Sequence, residues 1–323
     1  MNVTLRQLSY LVALAEERHF GRAAERVHVS QPALSTQIRE LEDRLGAALV
    51  DRSDRAVRLT PAGDEVLASS RRIMAEVERM EAAARWQDGL VGRLKLGMIP
   101  TVAPYLLPQA LARIRTRAQG LDLRLREAQT EVLLDALADG GLDAAVIALP
   151  AGRPGLVEEP LFTDHFVLAA AAGQVTEMRS VGAVPRPGDL DPTRLLLLDE
   201  GHCLADQALD VCNTSRGATQ VDLGASSLPT LCGLVAAGYG QTLLPEIAVG
   251  AEAAAAPRMG VIRFPEPQPA RVVGLVRRDL GGPDGWFRVL AEILAEAGEA
   301  QRAKAAVAQE ERSEKIADRK SVV

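Results

Sequence analysis

The stretch HVSQPALSTQIRELEDRLG at residues 28–46 decides the fold of the N-terminal part of the chain. Ser30 is a favoured helix N-cap, Pro32 suits the first turn of a helix, and Gly46 suits its end. The apolar residues between them recur every three or four positions, as on the buried face of a helix: Leu34, Ile38, Leu41 and Leu45. The stretch therefore predicts one amphipathic helix with well-defined ends.

Two shorter helical patterns precede this helix, and a tight break at His28 and Val29 separates them from it. Their apolar positions are Leu8, Leu11, Val12 and Ala15 in the first pattern and Ala23, Ala24 and Val27 in the second. Helices joined in this way predict a helix-turn-helix, whose last helix lies in the major groove of DNA.

The polar face of that last helix carries short or forked hydrogen-bonding side chains, which can read base edges. Residues 51–60 then contain Arg52, Arg55 and Arg58 together with hydrophobic residues, which predicts a two-stranded wing. Arg52 and Arg55 are its candidate phosphate contacts. We expect the DNA-binding segment of the helix to comprise Ser30, Gln31, Pro32, Ala33, Ser35, Thr36, Gln37 and Arg39.

A long helical pattern follows from Pro61 to Gln87. One stripe along it repeats at spacings of four and three residues: Val66, Ser70, Ile73, Val77, Met80 and Ala84. Such a heptad stripe predicts a dimerising coiled coil, although the same stripe could pack against its own domain. We therefore assign residues 1–60 to a DNA-binding domain and 61–90 to a linker helix.

Beyond Gly92 strands and helices alternate, which predicts a doubly wound α/β domain over residues 91–299. The predicted strands are Arg93–Ile99, Leu121–Glu127, Asp143–Leu149, Phe166–Ala171, Leu195–Leu198, Gln220–Leu223, Gln241–Leu244 and Arg271–Arg277. The predicted helices are Pro104–Arg117, Glu131–Asp139, Leu204–Asn213, Ser227–Ala237 and a closing helix over Trp286–Ala297. After Gly298 the chain is rich in Ala, Lys, Glu and Arg, and residues 300–323 are expected to form a charged, solvated tail.

The composition limits the possible functions. With 323 residues, 47% hydrophobic and 25% charged, the chain is globular and long enough for about two domains. A net charge of −6 excludes DNA binding by overall charge, and five Phe, three Tyr and two Trp are too few for single-strand stacking platforms. We expect a cytoplasmic protein without a membrane span, since no secretory signal is visible and Pro and Gly interrupt the uncharged stretch 223–245.

Three cysteines make an odd count, so a structural disulfide framework is not expected, while metal, catalytic and redox roles stay open beside simple burial. Cys203 follows His202 at a predicted helix start, where an imidazolium and the helix dipole both favour a thiolate. Cys212 lies nine residues on, about 13.5 Å away along a helix. A disulfide needs Cα atoms within about 7 Å, so joining the two requires the segment to unwind. Cys232 is expected in the core.

Three strand ends could face one crevice, as ligand sites do in such sheets. Thr101 and Thr130 each follow a predicted strand, and the His202–Cys203 pair follows a third. The alternative is that both threonines are only helix N-caps. Arg271, at the start of the last strand, is either a further positive group in this crevice or a surface arginine.

Together these motifs resemble the LysR family of bacterial transcription regulators and, within it, its hydrogen-peroxide-sensing members. The family is carried by Phe20–Ala24, Val29–Ser35, Ile38–Glu42 and Leu59–Gly63. The peroxide-sensing branch is carried by Ile99–Val102, Glu127–Thr130, Gly201–Gln207, Cys212, Val235–Gly238 and Arg271–Val276.

The resemblance implies that Cys203 is the peroxidatic residue, oxidised first to a sulfenic acid, and that Cys212 resolves it as a disulfide. Thr101, Thr130, His202, Arg271 and Asp206 would then shape the peroxide pocket. Asn213–Arg216 depart from expectation, because no hydrophobic residue there could anchor a repacked segment.

The resemblance also implies an assembly and a fold. It predicts a winged helix-turn-helix, a dimerising linker helix, a homotetramer, and duplex DNA and RNA polymerase as partners. The regulatory domain would be of the periplasmic-binding-protein type, with one subdomain at 91–165 and 268–299 and the other at 166–267. No cofactor and no metal are implied.

Two other functions remain to be separated from this one. The first is a LysR-type regulator that answers a small organic effector, with incidental cysteines. The second is a thiol peroxidase, which leaves sixty residues of helix-turn-helix unexplained. We therefore expect a peroxide-responsive activator and not an enzyme.

Overall fold

The computed structural model describes residues 3–51, 57–85, 90, 92–182, 184–218, 225–279 and 285–321, with side chains left out at 78–79, 81–85 and 306–321. The chain divides into two compact units. One consists of Met1–Gln87 with Asp135–Asp143, and the other of Asp88–Leu134 with Ala144–Val323.

The first unit contains the predicted helix-turn-helix. Its helices are α1 (Leu5–Glu17), α2 (Phe20–Arg26) and α3 (Gln31–Leu45). The Ser30 hydroxyl accepts a hydrogen bond from the Ala33 amide at 3.3 Å, and Gly46 ends α3 with φ of 69°. The prediction of a capped α3 is confirmed.

The core of this unit differs slightly from the predicted stripes. Val12 and Ala15 are half-buried, whereas Ala13 and Leu14 take the core positions of α1. At the end of α3, Leu45 is 39% exposed. The shared core consists of Leu8, Tyr10, Leu11, Ala13, Leu14, Ala23, Ala24, Leu34, Ile38, Leu41, Leu49 and Val50.

The wing is present as a short antiparallel pair, β1 (Val50–Asp51) and β2 (Arg58–Leu59). Arg52 and Arg55, the predicted phosphate contacts, lie outside the described residues. Helix α4 (Pro61–Arg85) follows directly.

The heptad stripe of α4 is used in two ways. Val66 packs against the core of its own unit, and Ser70 is buried and donates its hydroxyl proton to the Val66 carbonyl at 2.7 Å. Further along, Ile73 and Met80 are 45% and 66% exposed. The first part of the stripe therefore packs against its own unit, whereas Ile73 and Met80 are exposed in the single chain.

The second unit is built on one mixed sheet. Its strands are β3 (Gly92–Met98), β4 (Leu121–Glu127), β5 (Ala144–Leu149), β6 (Leu156–Ala171), β7 (Thr242–Pro245), β8 (Met259–Arg263) and β9 (Ala270–Arg278). The order is β4-β3-β5-β9-β6-β7, and β8 also pairs with β6. β3 is parallel to β4 and β5, and the remaining pairs are antiparallel.

The helices of this unit are α5 (Ala103–Arg117), α7 (Ala172–Val181), α8 (Cys203–Val211), α9 (Leu228–Ala236), α10 (Glu246–Ala255) and α11 (Gly285–Ser321). Helix α6 (Thr130–Ala138) begins in this unit, and its residues from Asp135 onward belong to the first. Helices α7 and α10 and strand β8 are absent from the sequence prediction. The predicted strand Leu195–Leu198 is wrong, because its ends make only isolated bridges, to Gln241 and Ala225. The predicted strand at 220–223 lies outside the described residues.

Strand β6 joins two parts of the sheet. It pairs with β9 up to His165 and with β7 and β8 from Phe166 or Val167 onward. The partner change falls where the two-subdomain hypothesis places a crossing, and it lies beside the candidate site described below.

The closing helix does not end at Gly298. A Cβ at this position would lie 2.2 Å from the Phe162 ring, so the glycine allows α11 to lie against β6. The helix continues to Ser321, and beyond Gly298 the Ala305 side chain is buried. The solvated tail expected from residue 300 is therefore wrong for the turns up to Ala305. Within the described residues, no helix is long and apolar enough to cross a membrane.

Candidate functional site

The site is organised around Arg271, the second residue of β9. Directly opposite it in the antiparallel register, Asp164 on β6 receives hydrogen bonds at its Oδ2 atom from Arg271 Nε at 3.0 Å and Nη2 at 2.9 Å. The side chains of Asp164 and Arg271 are 0% and 1% exposed. Arg271 is therefore a buried member of an ion pair, and its interpretation as a surface arginine is wrong.

The same guanidinium reaches the turn after β3. Arg271 Nη1 donates to the Thr101 hydroxyl at 2.9 Å, and Nη2 donates to the Thr101 carbonyl at 3.2 Å. Thr101 is buried, and the N-cap of α5 is Val102 without a side-chain cap. The helix-cap interpretation of Thr101 is wrong, since its hydroxyl binds Arg271 instead.

Thr130 also fails to cap a helix. It is the first residue of α6, and its hydroxyl oxygen is buried without a hydrogen-bond partner in the described part of the chain. Its neighbour Gln129 donates to the Glu200 carbonyl at 3.1 Å. A Cβ on Gly201, at φ of 86°, would lie 2.5 Å from the Gln129 amide oxygen. The turn before α6 is thus held against the loop that leads to α8.

His202 is the N-cap residue of α8, and its side chain makes no capping bond. It is 8% exposed, and burial lowers the pKa of its imidazole while Asp199 opposes that shift. Burial therefore favours the neutral ring. This disfavours the His202 imidazolium that is expected from the sequence to stabilise a Cys203 thiolate.

The two cysteines occupy opposite ends of α8. Cys203 is its first residue and is half-buried, whereas Cys212 is its C-cap and is 6% exposed. Burial raises the pKa of the Cys212 thiol to about 11. Nine helical steps separate their Cα atoms by about 13.5 Å. In this state the two thiols cannot form a disulfide.

Cys232 lies in α9 and is fully buried. Burial together with the neighbouring Glu252 carboxylate raises the pKa of its thiol to about 12. Glu252 also accepts a hydrogen bond from the Tyr105 hydroxyl at 2.7 Å. Cys232 is thus a core thiol, as expected from its helix.

The first two turns of α8 carry two further polar side chains. Asp206 is exposed there, while Gln207 has a buried amide oxygen without a hydrogen-bond partner among the described residues. Both Gln207 and Thr130 thus present a buried polar atom that a small polar ligand could satisfy.

Hydrogen bonds join the predicted residues into two groups. Arg271 and Thr101 form one group, and the second joins the turn of Thr130 to the loop before His202 and Cys203. Within the described part of the chain, no hydrogen bond links Arg271 to Cys203. No group of three or more His, Cys, Asp or Glu side chains in that part could hold a metal ion.

The predicted DNA-contacting face of α3 is open. Gln31, Pro32, Ala33, Thr36 and Arg39 are exposed, and Ser35 and Gln37 are half-buried. The Gln37 amide donates to Glu40 at 3.1 Å, which holds its side chain on the helix.

Sequence reasoning missed Asp164, Gln129 and Gln207 as members of the site. Gln129 and Gln207 lie within motifs that carry the family resemblance, so their signal was present. Asp164 stands in a strand, 107 positions before Arg271, and no local pattern marks it.

Comparison with known proteins agrees with this organisation. Residues 5–64 match the family model of the bacterial regulatory helix-turn-helix protein of the lysR family, and residues 87–299 match the LysR substrate binding domain.

Among curated relatives, a probable hydrogen peroxide-inducible genes activator of Streptomyces viridosporus is 43% identical over 296 residues, covering 91% of this chain and 94% of that protein. The DNA-binding transcriptional dual regulator OxyR of Escherichia coli K12 is 42% identical over 298 residues, covering 91% and 94%.

Two solved structures are also similar. A full-length OxyR variant from Pseudomonas aeruginosa has a TM-score of 0.74 at 36% identity, covering 92% of this chain and 95% of that one. A hydrogen-peroxide-bound mutant of Corynebacterium glutamicum OxyR has a TM-score of 0.63 at 36% identity, covering 95% and 96%.

Proposed function

Because the chain belongs to the LysR family and is a redox-sensing transcription regulator of the OxyR type, we propose that it senses hydrogen peroxide through Cys203 and Cys212. The observation that carries the proposal is the placement of these thiols at the two ends of α8. Cys203 is half-buried one helical turn before Gln207, whose amide oxygen is buried without a hydrogen-bond partner among the described residues, and Cys212 is buried.

The first step is oxidation of Cys203 by peroxide. The thiolate sulfur attacks one peroxide oxygen, the O–O bond breaks, and the other oxygen leaves as hydroxide and takes up a proton to become water. Sulfur loses two electrons to the peroxide and becomes a sulfenic acid.

The second step consumes that sulfenic acid. Cys212 loses its proton and attacks the Cys203 sulfur, an S–S bond forms, and the hydroxyl of the sulfenic acid leaves as water. Since the helix holds the two Cα atoms about 13.5 Å apart, this step requires α8 to unwind.

The residues around Cys203 have separate roles in this proposal. Arg271 holds the Thr101 hydroxyl as an acceptor, so the Thr101 proton is left to donate to the departing oxygen. Thr130 and Gln207 offer the buried oxygens that would bind the peroxide hydrogens. His202 supplies a hydrogen-bonding imidazole at the N-terminus of α8, and Asp206 lies in the first turn of that helix.

On the DNA side, we propose that α3 reads base edges through Gln31, Ser35 and Gln37 while Arg52 and Arg55 bind phosphates. The exposed Ile73 and Met80 of α4 support a dimer through the linker helix. Two such dimers would form the homotetramer that acts on RNA polymerase in the cytoplasm. Each chain reacts with one peroxide to form one disulfide, and we do not expect it to consume peroxide in repeated cycles as an enzyme does.

The test uses full-length protein treated with stoichiometric hydrogen peroxide. Peptide masses without reduction should show a Cys203–Cys212 link in the wild type and in C232S. C212S should stop at a sulfenic acid that dimedone traps, and C203S should stay unmodified at Cys212.

The DNA footprint should change only in those samples in which the Cys203–Cys212 disulfide forms. A Cys203–Cys232 link would overturn the pairing. An unmodified Cys203, or a disulfide with an unchanged footprint, would overturn the sensing role and favour a regulator that answers an organic effector.

A further inference from the structure

Asp164 is a buried carboxylate whose two oxygens are fixed by different elements. Oδ2 accepts both hydrogen bonds from Arg271 on β9, while Oδ1 accepts the Ile247 amide of α10 at 3.0 Å. Ile247 lies in the first turn of α10, where unpaired amides and the helix dipole favour a negative group. The orientation of Asp164 is therefore set independently of Arg271.

This arrangement fixes the guanidinium plane of Arg271. Of the five N–H donors of an arginine, four are used, two on Asp164 and two on Thr101. The Phe166 ring lies under the guanidinium, 6.0 Å from its carbon to the ring centroid. One N–H on Nη1 and the hydroxyl proton of Thr101 are left to donate.

Packing alone does not require this ion pair. A buried salt bridge can often be replaced by apolar side chains of similar volume without loss of stability, because desolvation offsets the attraction. The forked geometry, by contrast, aims the Arg271 donors in one direction, which a point charge would not do.

We propose that Asp164 is a positioning residue for peroxide sensing, which holds Arg271 against Thr101 so that their two remaining protons face the departing peroxide oxygen. The inference rests on the proposed function and goes beyond it, since it assigns a residue that does not touch the peroxide. Without the Asp164 carboxylate, Arg271 keeps its charge but loses its fixed plane, and the Thr101 hydroxyl turns freely.

The test compares two reactions of Cys203 in full-length D164N. Oxidation by hydrogen peroxide should slow by about tenfold or more, as for loss of a positioned donor to a developing negative charge. Alkylation of Cys203 by iodoacetamide should stay within twofold of the wild type, because it has no departing peroxide oxygen to stabilise. A merely structural role would change both reactions together.

E252Q is the matched control. Glu252 is also a buried carboxylate of the same unit, at 5% exposure, and it binds Tyr105 and not Arg271. Its neutralisation should leave the peroxide rate of Cys203 unchanged. An equal loss of rate in D164N and E252Q would overturn the proposal.

A double-mutant cycle shows whether Asp164 acts through Arg271. R271K keeps the charge but not the fork, so adding D164N to R271K should cause less than a twofold further loss of peroxide rate. A further tenfold loss in that background would contradict the proposal.

If D164N does not fold, D164E tests the positioning role of Asp164. It retains the charge pair but moves the carboxylate by one methylene, and we expect a two- to fivefold slower peroxide rate with unchanged alkylation. Wild-type peroxide rates in D164E and in any folded D164N would overturn the proposal. If wild-type Cys203 itself is not oxidised by peroxide, the proposed function fails instead.

Discussion

In the Asp164–Arg271–Thr101 cluster each side chain is held by partners from other elements, whereas helix α8 is held by little beyond its own backbone. The cluster ties β6, β9, α10 and the turn after β3 together. Helix α8 has nine residues, a His202 N-cap without a capping bond, and only Leu204, Ala205 and Ala208 fully buried. Burial of one leucine and two alanine methyls contributes about 3–5 kcal/mol.

The difference separates a fixed part of the site from a movable one. The donors that we propose to face the peroxide gain from rigidity, because a preorganised donor needs no reorganisation when charge develops. The segment between the thiols gains from marginal stability, because it must unwind for Cys212 to reach Cys203.

Removing Arg271 should break the fixed part. R271A leaves the Asp164 carboxylate buried without its charge partner, which typically costs about 3–5 kcal/mol. Urea unfolding of the full chain measures this as a lower midpoint for the regulatory unit. Arg93 and Asp122 provide the control, because they are also register partners on neighbouring strands, at 3.2 Å, but 60% and 48% exposed. R93A should cost less than about 1 kcal/mol, and equal losses would contradict the account.

Shortening the C-terminal helix α11 should destabilise α10, whose first turn holds Asp164 in the fixed part of the site. The Gln301 amide donates to the Ile247 carbonyl at 3.4 Å, and Arg302 Nε lies 3.6 Å from the Glu246 carboxylate. A chain ending at residue 300 loses these contacts and the buried Ala305, and we expect a loss of about 2–3 kcal/mol. A chain ending at Ala305 is the control: it keeps these contacts and should unfold at a higher urea midpoint than the chain ending at residue 300. If both truncations behave alike, residues 301–305 do not support α10.

Adding a methyl group at Gly201 should disturb the loop that starts the movable part. G201A puts a Cβ against the Gln129 amide at a φ of 86°, whereas G182A places one in open space at a φ of 68°. Both variants pay the left-handed penalty of about 1–2 kcal/mol. Unfolding measurements should show G201A to be about 1 kcal/mol less stable than G182A. Equal free energies of unfolding would mean that the Gln129 side chain moves aside without loss of stability.

Acid should destabilise the protein slightly through His202. Burial lowers the pKa of His202 in the folded state, so the unfolded chain binds its proton more readily. Stability from this group is present above the unfolded value, about 6.5, and is lost as pH falls toward the folded value, by at most about 1.4 kcal/mol per pH unit. Between pH 7 and 5.5 the urea midpoint of the wild type should fall further than that of H202Q. If the urea midpoints of the wild type and H202Q fall in parallel with pH, burial of His202 does not contribute to the pH dependence of stability.

The sequence predicted most elements whose signals are local. Ser30, Pro32 and Gly46 marked α3, and the alternation of strand and helix patterns beyond Gly92 marked β3 to β5, because caps and periodicity depend on neighbouring residues. Gly298 was misread as a helix end, since a glycine that permits close packing against Phe162 looks the same in sequence as one that ends a helix. Helices α7 and α10 were missed because neither begins with a capping side chain: their N-cap residues are Ala171 and Pro245, without a side-chain cap hydrogen bond.

The sequence predicted some residues of the candidate site and missed others. Thr101, Thr130, His202, Cys203 and Arg271 follow from strand ends and from the family motifs. Asp164 does not, because only the register of β6 against β9 places it opposite Arg271. The lowered pKa of His202 also depends on burial, which the sequence does not report.

Hydrogen–deuterium exchange of the full-length protein before and after peroxide treatment tests the central contrast most directly. In the oxidised sample, verified by mass to contain the Cys203–Cys212 disulfide, amides 204–212 should lose protection while those of β6 and β9 around Asp164 and Arg271 keep theirs. Unchanged protection of α8 in the disulfide-linked protein, or equal loss in α8 and in β6 and β9, would contradict the account.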